Sequence, residues 1–278
     1  MTFGEACTKY LSDVQHSLKP GSFNTEMSCI NRVLEVYGKD GDAAEFDNDS
    51  VTTYRRIRSE AEIANSTINQ EVAVWSKVMR HAKLPDPAKG LRKLKVPKPM
   101  RQLLTDEQVE AFCQNASLEN ETVGAFIRFL AYSGAREREG LAFKASDFDR
   151  EKRTLCIGSD GNAKNGRHRF IQCSDFLYLH LCWVVDLWGA FDDCKVFQLN
   201  TNSTHRHIFE RTRDRLDMDW VGFHDFRHYF ASKCVMSGID FHTIAEWLGH
   251  SDSSLLAKRY AHLSDSHRKQ QAQRLKFQ

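Results

Sequence analysis

Apolar positions recur at helical spacing through the first 84 residues. Phe3, Cys7 and Leu11 share one face; Ile30, Val33, Leu34 and Val36 gather on another; Ile68, Val72, Val74, Trp75 and Val78 repeat after Ser66, a capping residue type. Few segments alternate as strands do, so the pattern predicts a small all-helical domain over 1–84. A second helical region opens at Thr105-Asp-Glu-Gln108, where hydroxyl and amide can satisfy reciprocal orphan N–H groups. Val123, Phe126, Ile127 and Leu130 make the next stripe, with Gly134 placed to end it. Two β-prone runs, 154–158 and 168–173, flank the turn formers Ser-Asp-Gly-Asn-Ala-Lys-Asn-Gly-Arg and predict a hairpin. Further helices are predicted at 175–188, 204–214, 224–237, 240–248, 252–262 and 265–276, several closed by Gly189, Gly238 or Gly249. The expected fold class is mainly α with a small β-hairpin or sheet: a helical N-terminal domain, then a mixed, mostly helical domain over 103–278.

Between these regions the composition changes. Arg80, Lys83, Lys89, Arg92, Lys93, Lys95, Lys98 and Arg101 stand against Asp86 alone, and Pro85, Pro87, Pro97 and Pro99 exclude a continuous helix. Residues 85–102 therefore read as an extended basic linker, either a solvated hinge or a positive strap across a phosphate backbone. The whole chain has a formal net charge of only +2. Segregation of charge, not its total, is what points to nucleic acid.

The remaining composition narrows the class. A chain of 278 residues that is 41% hydrophobic and 27% charged can build a core, which rules out a disordered protein. No run approaches the roughly 20 apolar residues of a membrane span, and the N-terminus lacks a secretion signal's basic-then-apolar order, so a cytoplasmic location is expected. The eight cysteines form no Cys-x-x-Cys pair and read as reduced core thiols, not as disulfides or a zinc site.

Three segments concentrate chemically useful side chains. In Ser133-Gly-Ala-Arg136-Glu-Arg-Glu139, an Arg beyond a Gly-terminated helix can aim its planar fork at an anion while Glu139, one turn on, holds it. Taken alone, Arg136 reads as a surface ion pair. In His224-Asp-Phe-Arg227-His228, a helix stacks His224 and Arg227 on one side, with Phe226, Tyr229 and Phe230 inward; His228, turned about 100°, reads as a packed or supporting residue. In Leu248-Gly249-His250, the glycine breaks a helix and exposes His250, with Tyr260 one short helix away. No Ser/His/Asp order, phosphate-cradling loop or metal-spaced ligand set competes. Trp183, Trp188, Trp220 and Trp247 read as core anchors, and His205 and His207 as a solvated helix face.

Together these segments resemble the catalytic domain of the tyrosine recombinases, the bacteriophage-integrase family. That family is known by an Arg in a Gly-x-Arg-x-x-Glu setting, a His-x-x-Arg, a Leu-Gly-His and a downstream Tyr, all present here in order between about Leu103 and His262. Residues 1–84 resemble, more loosely, its helical core-binding domain, and Lys164 in Lys-Asn-Gly matches its β-turn lysine. The resemblance implies a DNA strand transferase, metal- and ATP-independent with no cofactor, that closes as a clamp on double-stranded DNA and cuts through a 3′-phosphotyrosyl intermediate. Arg136, Arg227 and His250 would clamp the phosphorane, Tyr260 would attack, His224 would accept or steer its proton, and Lys164 would protonate the leaving oxygen. It further implies a homo-tetramer on two recombination sites, a monomer without DNA, possible accessory DNA-bending proteins, a bacterial nucleoid setting, and a tail, 264–278, docked on a neighbouring subunit, the alternative being a tail folded back on its own core. The alternatives are a type IB topoisomerase-like nicking and resealing enzyme and a catalytically degenerate DNA-binding accessory protein. One departure stands out: His250 and Tyr260 are ten residues apart where nine is usual. An extra residue inside the helix would turn Tyr260 about 100° off its face; one in Ser251-Asp-Ser-Ser254 would be absorbed.

Overall fold

A computed structural model describes residues 1–97, 102–159, 168–189, 194–199, 204–250 and 253–260. The chain divides into two compact units, Met1–Met100 and Arg101–Gln278.

The first unit holds helices α1 (Phe3–Val14), α2 (Pro20–Tyr37), α3 (Asn48–Glu60) and α4 (Asn65–His81). Local chemistry sets the starts: Thr2 and Glu5 form a capping box, Pro20 occupies the first helical position, and Asp47 caps α3. Helix α4 instead begins at Asn65 with no side-chain cap, one residue ahead of Ser66. Trp75 is the centre of the core, with the rings of Phe46 and Tyr37 at 5.1 and 5.4 Å. Two carboxylates are buried there, and each is paired, since an unpaired buried charge costs several kcal/mol. Glu71 accepts from Tyr54 Oη at 2.9 Å and from Nε and Nη2 of Arg58, while Glu26 takes Tyr10 Oη and Lys77 Nζ at 2.5 Å.

The basic segment is no free hinge up to Lys95. Leu84, Ala88 and Leu91 pack on the first core. Asn48 donates to the carbonyls of Pro87 and Lys89, Asn65 to that of Lys95, and Asn69 both donates to the Leu94 carbonyl and accepts from its N–H at 2.9 Å. Asparagine amides thus stand in for the strand partner that a Pro-rich run cannot recruit. Lys89, Arg92, Lys93 and Lys95 remain exposed, as do Arg80 and Lys83. Lys98 and Arg101 lie outside the described residues.

In the second unit α5 (Asp106–Glu119) and α6 (Glu121–Ser133) form a hairpin of helices, followed by α7 (Glu137–Leu141), β1 (Phe148–Asp149), β2 (Thr154–Ile157) and β3 (Arg169–Gln172). Then come α8 (Asp175–Trp188), α9 (Thr204–Arg215), α10 (Phe223–Met236), α11 (Phe241–Leu248) and α12 (Ser253–Tyr260). The predicted Thr105 capping box is formed, and Gly134 ends α6 at φ +64°. The sheet is antiparallel in the order β1-β2-β3, with Leu155 opposite both Phe148 and Ile171. Strand β1 adds to the predicted hairpin; two residues are too short to show alternation. The hairpin tip, the predicted 265–276 helix and the tail 264–278 lie outside the described residues.

Two tryptophans depart from the core reading. Trp183 and Trp220 are exposed; α8 turns Leu177, His180, Leu181 and Val184 inward and leaves Trp183 on its flank. Of the eight thiols, all free, Cys7, Cys29, Cys113, Cys173 and Cys234 are buried, and burial pushes Cys113 up to about 12. No helix among the described residues is long and apolar enough to cross a membrane.

Candidate active site

Arg136 caps α7 immediately after the left-handed turn at Gly134. Its Nη1 donates to Glu139 Oε1 at 2.7 Å, and its backbone N–H to Glu139 Oε2 at 2.8 Å. The same carboxylate is gripped from across the sheet by Arg169, whose Nη1 and Nη2 reach its two oxygens at 3.1 and 2.8 Å. Arg169 Nε also donates to the Trp247 carbonyl at 2.6 Å, joining β3 to the end of α11. Burial opposes ionisation of Glu139, but Arg169 and then Arg136 outweigh it and hold the carboxyl down at about 2. Glu139 is therefore a fixed negative charge that orients two guanidiniums.

Arg227 is 2% exposed on α10. Its Nη1 donates to the Gly134 carbonyl at 2.8 Å, and its Nη2 to that of Leu248. Those carbonyls end α6 and α11, so the buried cation rests on the negative ends of two helix dipoles. Burial, then the fields of Arg136 and Arg169, pull its proton affinity down to about 9, so it stays cationic at neutral pH; Glu139 and Tyr260 pull the other way. The two predicted arginines thus sit within reach of one another's charge. Gly134 is needed for this packing: besides its positive φ, a Cβ there would meet the Phe230 ring at 2.5 Å.

Gly249, at φ +64°, ends α11 two residues after Trp247 and puts His250 at the turn, its N–H bonded to the Ala245 carbonyl. Its own Cβ position lies 3.2 Å from Arg169, so the junction is closely packed on the same guanidinium. Helix α12 delivers Tyr260 into the core at 3% exposure. The tenth residue of the His250 to Tyr260 interval has therefore not rotated the ring outward, and positions 251 and 252 lie outside the described residues.

The Tyr260 hydroxyl hydrogen-bonds Nδ1 of His228, which is 6% exposed. His224 is exposed on the turn before, its ring edge-on to that of His228 at 4.7 Å. The family resemblance implies His224 as the tyrosine's partner, and helix spacing leaves His228 as a packed or supporting residue; the residue in hydrogen-bond contact with the phenol is His228. Arg169 is the other residue the sequence analysis misses. A weak signal existed, a lone arginine at an inward-facing strand position, but its partners lie 30 and 78 residues away. Lys164 lies outside the described residues.

The solvated reading of His205 is corrected. Its Nε2 lies 3.0 Å from Glu137 Oε1 and its ring packs against Phe126 and Phe223, because the first turn of α9 docks on α7. His207 is exposed near Glu210. Among the described residues no group of three or more His, Cys, Asp or Glu side chains is gathered to hold a metal ion.

Comparison with known proteins decides the family. The model of the phage integrase family matches residues 102–267, more than half of the chain. The chain belongs to the phage integrase family, the tyrosine recombinases. All of Arg136, Glu139, Lys164, Arg169, His224, Arg227, His228, His250 and Tyr260 fall within the matched span. This tyrosine recombinase is 22% identical to the ICEBs1 integrase of Bacillus subtilis over 99% of its own length and 83% of the relative's. It is 27% identical to the integrase of Escherichia phage 186, over 81% and 67% of the two chains. Its fold is similar to the Tn1549 transposon integrase in complex with circular intermediate DNA, with TM-score 0.78 at 16% identity over 99% and 100% of the chains. A lambda integrase dimer bound to a COC′ core site aligns with TM-score 0.76 at 16% identity, covering 94% and 95%.

Proposed function

We propose that this tyrosine recombinase cuts and rejoins duplex DNA at specific sites through a 3′-phosphotyrosyl intermediate, with Tyr260 as nucleophile. The observation that carries the reading is the placement of a buried phenol against the residue that follows Arg227, within the field of that guanidinium. Attack on a phosphodiester places extra negative charge on the equatorial oxygens of a phosphorane. Preorganised cations in a dry site stabilise that charge far better than water does. Arg136 and Arg227 are the preorganised forks, one set by Glu139 and the other by two helix ends, and His250 beside them would donate a further hydrogen bond. His224, at the exposed mouth, would contact the phosphate. Lys164 would protonate the departing 5′ oxygen as general acid.

Each step exchanges one phosphate ester for another of similar energy, so the cycle requires no nucleotide hydrolysis, and the guanidiniums supply the positive charge that a metal would. Two sites joined by a tetramer would allow the 5′ hydroxyl of one duplex to release the tyrosine of the other, which is recombination. The exposed basic strap would bind the DNA backbone. A duplex nicked beside the cleavage point traps the covalent adduct, because the short 5′ fragment diffuses away. Wild type should form the adduct and Tyr260→Phe should form none; equal trapping by both defeats the assignment. Two differently labelled duplexes should then yield a recombinant product.

A further inference from the structure

We propose that His228 is the base that takes the phenolic proton of Tyr260 as its oxygen attacks phosphorus. The inference rests on the phosphotyrosyl reading above and assigns a step within it.

A phenol with an ordinary pKa of about 10 is almost wholly protonated at neutral pH, so the nucleophile needs a base in contact with its hydroxyl. His228 Nδ1 makes that contact, with both side chains buried. Position follows from helix geometry. Arg227 spends its side of α10 on the Gly134 and Leu248 carbonyls, and the next residue, about 100° round the helix, faces α12. The His224 ring stands edge-on to that of His228 at 88°, and Ser232 Oγ donates to the His228 carbonyl at 2.7 Å in the following turn.

The proton count balances. The Tyr260 O–H bond breaks as the oxygen–phosphorus bond forms, and the proton moves to Nδ1 of an imidazole that carries hydrogen on Nε2. The bond from phosphorus to the 5′ oxygen breaks, and that oxygen takes its proton from a separate acid, Lys164 in the reading above. When a 5′ hydroxyl attacks the phosphotyrosine, His228 returns its proton to the departing phenol. The His224 ring on α10 and the Tyr260 ring on α12 face this imidazole, and Tyr260 in turn lies within the field of Arg227.

The test is single-turnover adduct formation on the nicked duplex between about pH 5 and 9, bracketing the imidazole range. In His228→Asn the amide oxygen can lie near the Nδ1 position, so it can accept the hydroxyl's hydrogen bond but cannot take its proton. A general base contributes about 10²–10⁴-fold, so the expected result is a fall of at least about 100-fold, with a rate that climbs with pH toward the phenol range. Placing 3,5-difluorotyrosine, a more acidic phenol, at position 260 of His228→Asn should recover at least about tenfold, a rescue that a packing role would not give. Unchanged rate and pH profile in His228→Asn, or no recovery with the acidified phenol, overturns the proposal. The unaltered protein gives a reading that needs no folded variant: its rate must fall on the acid limb of the profile as a base is protonated, and a rate that stays flat down to about pH 5 overturns the assignment. Absence of any adduct from the unaltered protein would instead remove the phosphotyrosyl reading itself.

Discussion

Arg169 on β3 grips both oxygens of Glu139, and the same carboxylate holds Arg136 at 2.7 Å. One buried anion therefore fixes two cations, and Arg169 ties that arrangement to α11 through the Trp247 carbonyl. Strand β3 is thereby joined both to α7 and to the end of α11.

Replacing Arg169 with Ala should release Glu139 to Arg136 alone and free the end of α11. Breaking one partner of a buried pair costs about 3–5 kcal/mol, so a clear loss of thermal stability is expected. At a temperature where the variant is folded, single-turnover cleavage should fall at least about tenfold, which corresponds to about 1.4 kcal/mol, while DNA affinity changes little. Lysine at 169 should restore only part of the rate, because an ammonium cannot span two carboxylate oxygens and a carbonyl in one plane. Equal rates for wild type and Arg169→Ala would refute this role.

Glu139 also sets an acid limit. Its folded value of about 2 lies below the ordinary 4.5 of a free glutamate, so the unfolded chain binds the proton more readily. Its contribution is fully present above about pH 4.5 and is lost as the pH falls toward 2, a swing of roughly 3 kcal/mol. Denaturant unfolding of wild type should therefore weaken through that window, and Glu139→Gln should show a shallower dependence there. Identical slopes for the two proteins would refute the pairing.

The basic strap makes a separate expectation. Asn69 holds the Leu94 backbone by two hydrogen bonds, and Lys93 and Lys95 stay exposed on either side. Asn69→Ala should speed amide exchange at positions 92–95 without unfolding α4. If the two lysines contact phosphates, neutralising both as Gln should lower the slope of log affinity against log salt by about 1.8, at about 0.9 per contact. An unchanged slope would remove the strap from the DNA interface.

What the sequence determined by itself is the part of the architecture that depends on near neighbours. The Thr105 capping box, the Gly134 and Gly249 helix ends, the α8 limits and the β2–β3 pairing rest on interactions a few residues long or on one period of apolar side chains. The order of Arg136, Arg227, Leu248-Gly249-His250 and Tyr260 was equally legible, because a family resemblance is a pattern along the chain. What only the tertiary structure decided are the pairings between distant segments. Arg169 takes Glu139 and Trp247, Arg227 takes the ends of α6 and α11, His228 rather than His224 touches Tyr260, and Asn69 captures Leu94. None of these has a local signature. An arginine in a strand, a histidine on an inner helix face or an asparagine within a helix fits solvent, core or site equally well. The choice is made when packing removes water and leaves each polar group one partner within reach.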